Sequence, residues 1–166
     1  MRPITRVVVF LLVTMTMMAS TASHIVIAAP QTPTSTTNES GLILYGDIVT
    51  FFGLGKPDNC TLRSRFKRGE PVGFRMFAAD PATGKSERSA TLVVHLTVGG
   101  QTIDVPMRYH GTVAHPEWDF WVAKWIVPDV TPVGTIRYTV TATDKSGRAG
   151  AFKPFANEQS QLTIVE

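Results

Sequence analysis

From residue 42 onward the chain is dominated by short runs in which apolar and polar side chains alternate, separated by Gly, Pro, Asp and Asn. No segment keeps a helical apolar period for more than about two turns. The pattern predicts strands with one buried and one wet face. In 90–98, Leu92, Val94, Leu96 and Val98 share one face, while Val93, His95 and Thr97 share the other. Gly99-Gly100 then predicts a two-residue hairpin leading into 101–107, because both glycines reach positive φ without steric cost. Segment 135–143 alternates in the same way, with Ile136, Tyr138, Val140 and Ala142 on one side and Arg137, Thr139, Thr141 and Thr143 on the other.

Further strands are predicted at 42–52 (interrupted at Gly46-Asp47), 72–79, 119–127 (ended by Pro128), 149–155 and 162–165. Turns fall at 53–59, 80–84 and 144–147 by their Gly, Pro, Asp and Asn content. About seven to nine short strands in about 125 residues predict an all-β, antiparallel β-sandwich rather than a closed barrel. The sequence shows no internal repeat.

Composition narrows this to one folded domain: 166 residues, 43% hydrophobic, 17% charged, with nine Phe and three Trp. A single cysteine excludes an intrachain disulfide framework and a Cys-rich zinc module. Residues 1–29 have the make-up of a secretory signal peptide: Arg2 and Arg6, an apolar run over 7–19, then small residues. That run, about 13 residues, is shorter than the roughly 20 that span a bilayer, so cleavage after Ala22 or Ala29 would leave no stable membrane span. The alternative is an uncleaved anchor, because apolarity resumes at 25–29. No cysteine lies near either cleavage site to be acylated. The expected location is the periplasm or the secreted fraction. Residues 30–41 carry Thr, Ser and Pro but no large apolar side chain and read as a flexible leader, so the domain proper is 42–166. Losing Arg2 and Arg6 from sixteen basic residues leaves fourteen against thirteen acidic, a net charge of +1, which offers no general attraction for nucleic acid.

The segment WIVPDVTPVGTIRYTVTATDKSG at 125–147 resembles the late strands of bacterial immunoglobulin-like or fibronectin-like extracytoplasmic domains. RGEPVGFRMFAADPATGK at 68–85 is similar to the earlier strand and turn of such modules. The resemblance covers roughly 40 residues and implies an immunoglobulin-like sandwich, with adhesion, carbohydrate contact or assembly as the usual roles. The antibody-type cysteine pair is missing, as Cys60 stands alone, and no catalytic residue carries over.

Candidate chemistry is sparse. Cys60 is expected to be packed and inert; the alternatives are a disulfide-linked dimer, or a thiolate favoured by Arg63 and Arg65. Those two arginines belong to the cluster Arg63-Ser-Arg65-Phe-Lys67-Arg68, read as a solvated edge or an anionic-partner contact. Trp118, Trp121 and Trp125 offer rigid area for stacking on a sugar or a protein. In a strand Trp121 and Trp125 share a face, so at least one packs in the core. The candidate partner-contact residues are therefore Trp118, Trp121, Arg63 and Arg65. Cys60, His95, Met107, His110 and His115 form the pool for a soft-metal site holding copper. His95 points away from the apolar face of its strand, and the i, i+5 spacing of His110 and His115 is not a zinc motif. No Gly-x-Ser-x-Gly elbow or P-loop occurs, and Glu117 with Asp119 lacks any other glycosidase signal. The sequence thus predicts an exported non-enzymatic binding or assembly module without a cofactor, acting through loops or an edge strand on a protein or a cell-surface glycan. The alternative is a periplasmic copper-binding or electron-transfer accessory protein.

Overall fold

The computed structural model describes residues 41–53 and 55–166; the segments read as signal peptide and leader lie outside the described residues, apart from Gly41. The described residues form ten strands: β1 Ile43–Thr50, β2 Arg65–Lys67, β3 Pro71–Ala79, β4 Thr91–Val98, β5 Gln101–Pro106, β6 Arg108–Tyr109, β7 Trp121–Ile126, β8 Gly134–Thr143, β9 Ala149–Phe152 and β10 Leu162–Val165. A 3-10 turn, Glu158–Ser160, precedes β10. The described part of the chain is all-β, built as two sheets. One sheet has the order β1-β3-β7-β6; the other has the order β2-β10-β8-β4-β5, with β9 beside the C-terminal half of β8. Each pairing of these strands is antiparallel except that of β2 with β10.

The inner faces follow from side-chain parity. Phe74 and Met76 of β3 and Trp121 and Trp125 of β7 meet Leu92, Val94 and Leu96 of β4 and Ile136, Tyr138 and Val140 of β8 in one apolar cluster. Phe74 and Tyr138 join the two sheets through ring centroids 5.3 Å apart at an interplanar angle of 59°. Gly99 and Gly100 stand at φ 57° and 82°, the pair of left-handed residues that a type I′ hairpin requires.

Several boundaries differ from the sequence expectation. The strand expected to break at Gly46 runs through it: Gly46 pairs with Met76, and a Cβ there would collide with the Met76 sulfur and the Arg75 carbonyl oxygen. The glycine permits close strand approach. The count of ten exceeds the predicted seven to nine because β2 and β6 are only three and two residues long. β9 stops at Phe152, two residues before Pro154.

The returning chain covers part of the outer edge of β1. The Cys60 amide donates to the Thr50 carbonyl at 2.9 Å and the Arg63 amide to that of Ile48 at 3.2 Å. At its other end the Leu42 amide donates to Ala149 of β9 at 2.9 Å, stitching the first sheet to the second.

Candidate functional site

The two outer faces of the sheets have opposite characters. On the second sheet, register aligns Thr102, Thr97 and Arg137 in one row and Asp104, His95 and Thr139 in the next. His95 Nδ1 lies 2.7 Å from Asp104 Oδ1 and its Nε2 lies 2.8 Å from Thr141 Oγ1. This is the polar surface that a solvated antiparallel face normally presents.

On the first sheet the outer positions carry rings. Tyr45 of β1 and Phe77 of β3 are register partners, stacked with centroids 4.7 Å apart and an interplanar angle of 3°. Phe77 meets Phe120 at 5.8 Å, Phe120 meets His110 at 5.2 Å, and His110 meets Trp118 at 5.0 Å. His115 closes the series, stacked on Trp118 at 3.9 Å and 10°. The six rings form a continuous strip from the β1 edge of the sheet to the β6–β7 loop. Tyr45 is 53% exposed. Beside it, Arg75 holds Asp47 through Nε–Oδ1 and Nη2–Oδ2 contacts of 3.0 and 2.7 Å.

The loop that delivers His110, His115 and Trp118 is anchored by Asp119. Its carboxylate accepts from Tyr109 Oη at 2.6 Å, Ser86 Oγ at 2.9 Å, and Arg88 Nε and Nη2 at 3.2 and 3.1 Å. Burial opposes its charge, yet the hydrogen bonds from Arg88, Tyr109 and Ser86 outweigh burial and hold the carboxyl below the usual range. β7 starts at Trp121, two residues later than the sequence expectation. His110 continues the ladder beyond β6, its amide donating to Phe120 at 2.8 Å. Burial first, then the charges of Arg108 and His115, lower its pKa and favour the neutral ring. His115 Nδ1 lies 3.0 Å from Glu117 Oε1. Near this end Arg148 draws together Asp80, Glu87 and Asp144 at 2.9, 2.7 and 2.7 Å, pinning the β3–β4 and β8–β9 connections. Asp144 is desolvated, but hydrogen bonds from Arg148 and Ser146 bring its pKa down to about 2.

Of the sequence candidates, Trp118 belongs to the strip, but Trp121 does not. It is 2% exposed on the inner face of β7, against Tyr109 at 4.9 Å, so its role as a contact residue is corrected to a core role. Trp125 is buried on the same face. Arg63 is bidentate to Glu70 at 3.3 and 2.8 Å and lies 5.0 Å over the Phe66 ring, while Arg65 pairs with Glu158. Both cations offered for an anionic partner are engaged within the domain.

Cys60, expected to pack inside, is exposed in the connection after β1 at φ 61°. The five residues offered as copper ligands do not converge. His95 lies on the outer face of the second sheet, Met107 in the core, and His110 and His115 at Trp118. Cys60 bonds at Thr50, opposite Val72; Phe77 is five residues further along β3, about 17 Å at the rise of a strand. Among the described residues no three or more His, Cys, Asp or Glu side chains are grouped to hold a metal ion.

Residue type alone does not single out Tyr45, Phe77 and Phe120. The available signal is parity: Phe74 and Phe77 sit three apart in a strand, so one of them has to face outward. Among the described residues no helix is long and apolar enough to cross a membrane. Comparison with known protein families finds no match, and comparison with curated proteins finds none either.

Proposed function

We propose that this protein is an exported, non-enzymatic binding module of the immunoglobulin-like kind, and that the aromatic face of its β1-β3-β7-β6 sheet docks a protein partner. One observation carries this reading: a contiguous strip of rings occupies a sheet face that water alone would leave polar, in a molecule whose other sheet face is polar. Aromatic rings with a charged rim have the composition of a protein contact. Here the rim comprises the Arg75–Asp47 pair, Arg88 and Glu117.

Strand order supports the immunoglobulin-like assignment. Lettered along the chain, β1, β3, β7 and β6 correspond to A, B, E and D, the order of one sheet in that fold, and β4, β8 and β10 to C, F and G of the other. Where an antibody-type domain ties B to F by a disulfide, β3 and β8 meet here through Phe74 and Tyr138. β2, β5 and β9 are additions to that plan. Export rests on the charge, apolar run and small residues of 1–29.

The test is a photo-crosslinking side chain at position 45, compared with one at position 141 on the opposite face, in cells that export the full chain. A discrete protein adduct from position 45 alone, lost on Phe77→Ala, is the expected result. Equal adducts from both positions, or none from position 45, would overturn the reading. An adduct of twice the chain's mass would replace a partner by self-association.

A further inference from the structure

The outer face of the second sheet carries a concavity that the aromatic strip does not reach. Its floor is β4, β5 and β8, and one wall is the chain that follows β9 at Lys153, Pro154 and Ala156. Its volume is about 480 Å³, inside the range of roughly 300–1,000 Å³ typical of small-ligand clefts. Register explains the lining: Thr97 stands between Thr102 and Arg137 in one row, and Thr139 follows on β8. Threonine hydroxyls, which both donate and accept, therefore share the floor with apolar surface.

Two cations face this array. Arg137 and Lys153 are the cations that line the cleft and, like several other cations among the described residues, they take part in no ion pair. Asp104, the acidic group of the neighbouring row, is held by His95, whose ring is fixed on its other side by Thr141. A concave surface of hydroxyls with two uncommitted cations suits a ligand that is itself hydroxylated and negatively charged. A guanidinium fork matches a planar carboxylate through two parallel hydrogen bonds.

We propose that this cleft binds an acidic sugar, with its carboxylate at Arg137 and Lys153 and its ring hydroxyls on the threonines. The site is independent of the aromatic face. Calorimetric titration of the full chain with an oligogalacturonate, the matching neutral oligosaccharide and inorganic phosphate tests it. Saturable binding of the uronate is expected, weakened roughly tenfold or more by Arg137→Ala or Lys153→Ala, less by Arg137→Lys, and unchanged by Phe77→Ala. The neutral oligosaccharide should bind at least about tenfold more weakly, and added salt should weaken the uronate. No saturation by about 10 mM uronate would overturn the proposal. So would equal binding of the neutral sugar, or an Arg137→Ala protein with unchanged melting and unchanged affinity. Displacement of uronate by equimolar phosphate would reduce the site to a bare anion patch and overturn the sugar assignment.

Discussion

His110 shows how one side chain couples the strip to solution conditions. Its ring lies between Trp118 and Phe120, and burial together with Arg108 and His115 places its folded pKa below the ordinary histidine value of 6.5. The folded state thus prefers the neutral ring. Its contribution is fully present above the unfolded value and is lost as pH falls through the lower folded one. Acidification should therefore change the fluorescence of Trp118 with a midpoint below pH 6.5. Trp121 and Trp125, buried on the inner face, supply a constant background. In His110→Phe the part of the transition owed to this ring should vanish while stability at neutral pH is kept. A midpoint above 6.5, or a transition unaltered by the substitution, would contradict the assignment.

Among the elements, the β4–β5 hairpin is the one most directly dictated by local sequence, and it gives the simplest stability test. Both glycines are left-handed, and a Cβ added at either would meet nothing within 4 Å. Gly100→Ala therefore incurs only the backbone penalty, about 1–2 kcal/mol, measured by chemical denaturation. Gly100→Asn should cost less, since Asn tolerates that region. The strands legible in the sequence are those of four residues or more, β1, β3, β4, β5, β7, β8, β9 and β10, whose apolar or alternating runs are bounded by turn residues. β2 and β6 are not, because two or three residues carry no period and are defined by their neighbours. The same limit applies to the site. Trp118, His110 and His115 stand out by residue type. Their union with Tyr45 and Phe77 depends on the register between β1 and β3, which no pattern within either strand specifies. Trp121 is misassigned as a contact from sequence because its residue type suits an interface as well as a core.

At the scale of the molecule, each sheet presents a different surface: rings on the first, hydroxyls and cations on the second. The two proposed contacts therefore need not compete. The architecture also places a constraint on how the chain folds. β2 pairs with β10, so Arg65 waits for Thr163, nearly a hundred residues downstream, and Leu162 and Ile164 are fully buried when they arrive. Deleting 162–166 should abolish cooperative unfolding, read as loss of the thermal transition, because it uncovers Phe66 and the end of β8 together. During synthesis the same dependence keeps the second sheet incomplete until β10 has emerged. Closure of such distant segments is slow. A chain built this way keeps the inner face of its second sheet open until β10 arrives, and the closing of that sheet is timed by this one strand.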